Sequence, residues 1–362
     1  MIYLDYQATT PLAPEAFDAM LPWLRDQHAN PHSSHAPGRA AKAAVEVARD
    51  QVAALLPSGG RVVFTGGATE ALNWAIKGTA GEVVTIATEH AAVLNTVEAI
   101  ARTGRGGTLL PVDASGVVDL TAADAVIRPG VGLVAAMLVN NEIGVIQPVA
   151  DVARRAHKAG ALFLCDAVQG FGRVPIPEQC DLIAISAHKI HGPKGIGALW
   201  IRNGVELVPL LHGGNQEGGR SGTLSPALCA GFGRAAALMA ERQAVDAAQV
   251  TQLWAVAVER LGAGWTINGS TTHRYHGNLN IRREGLNVAR LMSDLRDIAF
   301  SAGSACASGS GRSSHVLRAL GLTDAQARSS IRIGFGRYTT EEELLTAIDR
   351  IKAAAEAQRA FA

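Results

Sequence analysis

Cysteine is scarce in this sequence and never clustered. The four cysteines, Cys165, Cys180, Cys229 and Cys306, lie far apart and form no C-x-x-C pair. That spacing argues against a zinc site and against a disulfide scaffold, so no metal and a reducing, cytoplasmic setting are expected. Long apolar runs are missing too: no stretch reaches the roughly 18–20 uncharged residues of a membrane span. The first residues, MIYLDYQATTPLAP, lack the basic flank and apolar core of a secretory leader. Net charge is only +1, and no basic stripe of the kind nucleic-acid binding requires is present. No internal repeat occurs, and no glycine turn is followed by the G-K-[ST] of a Walker loop.

The 362 residues, 48% of them hydrophobic, suffice for a large core and two domains. Apolar runs at 61–64, 82–88, 131–139, 161–166, 181–186 and 197–201 alternate with alanine-rich helical stretches. Such continuous runs predict a mostly parallel sheet covered on both faces. From about residue 245 a helix over 244–261 leads into shorter strands at 277–282 and 330–335, and a helix at 341–362 ends the chain. The expected division is a large domain over 14–245 and a smaller α/β domain from 1–13 and 246–362. The smaller one would carry a serine- and glycine-rich stretch, SAGSACASGSGRSS at 301–314, whose composition predicts a mobile loop around Cys306.

Ligands of parallel α/β sheets gather at the carboxyl ends of strands, and five strand ends here are chemically equipped. TGGATE at 65–70 offers either an anion cradle at a helix N-terminus near Ala68 or a simple capped turn. Asp166 closes an apolar strand, where a carboxylate needs a cation, donors or an N-cap role. Lys189 follows another strand in SAHK and is either a solvated charge or a desolvated, nucleophilic amine. His90 after the 82–88 strand suits a capping role as well as a catalytic one. Together a cradle, a carboxylate and a strand-end lysine suggest pyridoxal 5′-phosphate, which needs a lysine for its Schiff base and a carboxylate for its pyridine nitrogen.

The sequence resembles cysteine desulfurases of the NifS/IscS type, within the class V aminotransferase group of pyridoxal-phosphate enzymes. The matching segments include YLDYQATTP (3–11), NPHSSH (30–35), GATE (67–70), TEH (88–90), NNEIGV (140–145) and DAVQ (166–169). SAHKIHGPKGIGAL (186–199), RSGT (220–223), GSAC (303–306) and SSIRIGFGR (329–337) complete the series in family order. The resemblance implies α/β fold type I, the aspartate-aminotransferase-like fold, with a mostly parallel seven-stranded sheet in the large domain. It implies that Lys189 bears the cofactor, Asp166 pairs with the pyridine nitrogen, Gln169 meets the ring hydroxyl and His90 stacks on the ring. Ala68, Thr69, Ser186 and His188 would hold the phosphate, with Thr223 reaching across from the other subunit of a homodimer. Asn141 and Arg332 would hold the substrate.

The implied reaction takes L-cysteine to L-alanine and leaves its sulfur as a persulfide on Cys306. An iron–sulfur scaffold protein or a thiolation carrier would then accept the sulfur. Set against that family, the short stretch after the 341–362 helix is expected to lack the extension IscS-like members use to dock the scaffold. An aminotransferase, a selenocysteine lyase of the same fold, or a catalytically silent scaffold are the alternatives. GSAC on a serine–glycine stretch favours the desulfurase, since transamination needs no such thiol.

Overall fold

The computed structural model describes residues 1–303 and 313–359. Its strands in chain order are β1 (Ile2–Tyr3), β2 (Gly60–Thr65), β3 (Glu82–Ile86), β4 (Gly107–Leu110), β5 (Val131–Met137), β6 (Leu162–Asp166), β7 (Leu182–Ser186) and β8 (Gly197–Arg202). Then follow β9 (Thr266–Ile267), β10 (Asn278–Arg282), β11 (Ile298–Ala299), β12 (Ser301–Ala302) and β13 (Ser330–Gly334).

Strands β2 to β8 form one seven-stranded sheet in the order β2-β8-β7-β6-β5-β3-β4. Only β8 runs against its neighbours. Residues 187–196, which join β7 to β8, are too few for a crossover helix, so the chain returns antiparallel. Both faces of the sheet are covered, which explains the unbroken apolar runs. Phe64, Val84, Phe163 and Trp200 pack toward helix Pro226–Leu261 and its neighbours, while Val63, Val83, Leu164 and Leu199 pack with Leu72 and Val93 on the other face.

A separate core gathers around the antiparallel sheet β12-β13-β10-β9. It includes Leu279, Ile331 and Ile333, the C-terminal helix through Leu344 and Ile351, and Leu4 from the chain start. The N-terminal β1 pairs in parallel with β11, so the beginning of the chain is stitched into its last third.

Three sequence expectations change. The helix expected over 244–261 begins at Pro226 and runs unbroken to Leu261. Its first half carries small residues because it is pressed against helix Ala36–Ala53: a Cβ on Gly233 would stand 2.6 Å from the Cα of Ala48. Edge strand β4 was not expected, since its Leu109 is exposed and interrupts the apolar pattern. Finally, the stretch at 301–314 has structured ends. Ser301 and Ala302 pair with Arg332 and Ile331 in β12, and Ser314 caps helix His315–Ala319. Cys306 itself lies outside the described residues. No helix among the described residues is long and apolar enough to cross a membrane.

Candidate active site

A cavity of about 510 Å³ opens at the carboxyl ends of β3, β5, β6 and β7, under the N-terminal segment. Ten sequence-singled residues line it: Ala68, Thr69, His90, Asn141, Asp166, Gln169, Ser186, His188, Lys189 and Arg332. Thr223 is exposed and does not line it.

The lysine is held in an unusual way. Lys189 Nζ donates to the main-chain oxygens of Gln7 at 2.6 Å and Ala8 at 2.7 Å. Burial above all, then the Arg332 and Arg173 charges, push its amine down to about 8. A fraction of the amine is therefore neutral near physiological pH, as a nucleophile requires.

Asp166 ends β6 and is buried, with one oxygen accepting from Val168 N at 3.0 Å. Burial raises its carboxyl, opposed by that backbone hydrogen bond and by the His90 and Lys189 charges. A cation beside it would favour the ionised form. Gln169 donates through Nε2 to Gln7 O at 2.9 Å, while its Oε1 is buried with no hydrogen-bond partner.

His90 is indeed a capping residue: its Nδ1 accepts from Ala92 N at 3.1 Å and starts helix Ala91–Ala101. Accepting there puts the proton of the neutral ring on Nε2. Burial lowers its pKa, keeping the ring neutral. The capping and cavity-lining roles thus coincide in one side chain.

The opposite end of the cavity is an anion cradle. Helix Ala68–Gly78 begins at the rim, and its first-turn N–H groups have no partner within the helix. Strand β8 approaches this turn so closely that a Cβ on Gly197 would stand 2.8 Å from Gly67 C and 2.9 Å from Ala68 N. Buried Ser186 and half-buried His188 flank the cradle, His188 sharing a 3.1 Å hydrogen bond with Thr9 Oγ1. Burial, then the Lys189 and Lys194 charges, push His188 down to about 4.

Arg332 reaches the cavity from β13 and is 1% exposed. Its Nη1 donates to Asn141 O at 3.0 Å, and its Nη2 to Asp5 Oδ1 at 2.7 Å and Ser301 Oγ at 3.2 Å. Its Nε is buried without a partner.

Sequence reading missed the N-terminal segment as a working part. Gln7 and Ala8 line the cavity, and Thr10 accepts from His191 N at 2.8 Å, steadying a residue at φ +68° just after Lys189. The polar run QATT between a short strand and Pro11 was the available signal.

The donor set fits pyridoxal phosphate. The buried Asp166 carboxyl suits a pyridinium, the unpartnered Gln169 Oε1 suits a hydroxyl donor, and the cradle suits a phosphate. The volume falls in the range of roughly 300–1,000 Å³ usual for cofactor sites.

A sheet of this order, with amine, carboxylate and anion cradle on one rim, defines a pyridoxal-phosphate enzyme of fold type I. The family model "Aminotransferase class-V" matches residues 2–346, and the chain belongs to that family. It is 45% identical to the mitochondrial cysteine desulfurase of Saccharomyces cerevisiae, across 95% of this chain and 72% of that protein. It is 43% identical to the cysteine desulfurase IscS of Anaeromyxobacter dehalogenans, across 96% of this chain and 90% of that one. A solved NifS-like protein superposes with a TM-score of 0.90 at 33% identity, covering 97% of this chain and 98% of its own.

Proposed function

We infer that this chain is a pyridoxal-phosphate-dependent cysteine desulfurase. It converts L-cysteine to L-alanine and transfers the sulfur to an enzyme thiol as a persulfide. The observation that carries the reading is the half-buried Lys189 amine, lowered to about 8, sharing one cavity with Asp166 and Arg332.

Lys189 would bear the cofactor, with Asp166 for its ring nitrogen, Gln169 for its hydroxyl and His90 for its ring. Ala68, Thr69, Ser186 and His188 would hold its phosphate. When bound, the cofactor supplies an electron sink for charge developed at the substrate Cα. Arg332 and Asn141 orient the substrate, the guanidinium gripping its carboxylate. The Lys189 amine takes the Cα proton once released. The Cys306 thiolate attacks the substrate sulfur; the S–Cβ bond breaks, its electron pair stays on Cβ, which takes up a proton to become the methyl group of alanine, and Cys306 becomes the persulfide.

The same reading includes a homodimer, in which the exposed Thr223 serves the neighbouring subunit's phosphate site, and the division into domains 14–245 and 1–13 with 246–362. The separation of the two cores supports that division. An iron–sulfur scaffold or thiolation carrier as sulfur acceptor and a cytoplasmic location complete it. Neither membrane nor nucleic acid takes part.

The test is spectroscopic. Protein reconstituted with pyridoxal phosphate should be yellow, and Lys189→Ala should lack the lysine-linked visible band. A colourless wild type refutes the cofactor assignment.

A further inference from the structure

Behind the cavity wall stands a cation that touches neither cofactor nor substrate space. Arg173 lies in the turn after β6, where its N–H bonds to Gly170 O at 2.9 Å, and it is absent from the cavity lining. Its Nη1 donates to Gln169 O at 3.2 Å and its Nη2 donates to Lys189 O. The guanidinium carbon sits 5.4 Å from the centre of the Tyr275 ring, over its face. One rigid fork therefore spans two loops that leave different strands, and each loop carries a residue assigned to the cofactor.

We propose that Arg173 is a positioning residue: its fork fixes the separation of Gln169 and Lys189 and its permanent charge stands behind the lysine. The proposal rests on Lys189 as the cofactor-bearing lysine. A guanidinium suits the task because its donors are coplanar and cannot be lost by deprotonation, whereas an ammonium is a single point charge.

Among the described residues, Arg332 from β13, Asp5 from the N-terminal segment and Asp166 from the end of β6 act on Lys189, with His90, His188 and Lys194 lining the same cavity. Of these, Arg332 and Arg173 both disfavour a protonated amine, while Asp5 and Asp166 oppose them. Arg332 faces the cavity and is committed to substrate. Arg173 is the cation that acts from outside it.

The test uses the holoenzyme reconstituted with pyridoxal phosphate and two readouts besides turnover. One is the pH midpoint at which the lysine-linked chromophore changes its absorption; the other is the rate of cofactor loss on dialysis. Arg173→Gln removes the charge and should raise the midpoint by about 0.5–1 pH unit. Arg173→Lys keeps a charge but not the fork; its midpoint should stay near wild type while cofactor is lost about threefold faster or more. An unmoved midpoint in Arg173→Gln, or an equal shift in both variants, overturns the proposal. If Arg173→Gln does not fold, Arg173→Lys still decides, because wild-type cofactor retention there overturns the fork. Failure of the underlying assignment shows separately, as a wild type whose band matches that of Lys189→Ala, and takes the proposal with it.

Discussion

Arg332 donates to the Asp5 carboxylate at 2.7 Å, joining the last strand of the chain to its first turn. The arginine side chain is 1% exposed and the aspartate 20%. A buried guanidinium that loses its counter-charge costs more than the pair gains, about 3–5 kcal/mol in fully buried cases. Partial exposure of Asp5 puts Asp5→Asn at the low end of that range. Urea unfolding should show a fall of about 3 kcal/mol, and an unchanged midpoint would contradict this account of Arg332.

The depressed Lys189 amine makes a kinetic prediction. Only the neutral amine attacks the cofactor aldehyde, so below its pKa the attachment rate rises tenfold per pH unit. With Lys189 at about 8, the rate at which cofactor-free protein takes up pyridoxal phosphate should level off above that pH. Stopped-flow absorbance reads it directly. A rate still climbing steeply at pH 10 would mean an ordinary solvated lysine.

Glu89 gives a prediction with the opposite sign. It is 1% exposed, its Oε1 accepts from Met137 N, and its Oε2 has no partner. Burial above all, then the Asp166 charge, raises its carboxyl well above the usual range. Between the unfolded value of about 4.3 and the raised folded one, the native state holds the extra proton, so stability falls as pH rises. Glu89→Gln cannot ionise and should melt no lower than wild type at pH 7, with the gap closing near pH 4. Thermal melts of cofactor-free protein check this, and a variant clearly less stable at pH 7 would show that Glu89 works as a carboxylate.

Much of this was legible in the sequence where side chains carry the information. Strands buried on both faces appear as unbroken apolar runs, and ten residues singled out at strand ends or through the family resemblance, Arg332 inside β13 among the latter, meet in one cavity. Strand β4 escaped notice because an edge strand half in water loses that pattern, as Leu109 shows. The first half of the long helix was hidden by residues chosen for closeness, Gly233 among them. Within the site, Gln7 and Ala8 act through main-chain oxygens. Arg173, too, grips carbonyls. Every residue type owns a carbonyl, so neither role marks the sequence.

The most direct test of the central claim is product analysis. Wild-type holoenzyme given L-cysteine and a thiol reductant should release alanine and sulfide in equal amounts. Cys306→Ala should keep the visible band and release almost no sulfide. Sulfide accompanied by pyruvate and ammonia in place of alanine, or full sulfide release without Cys306, would contradict the account.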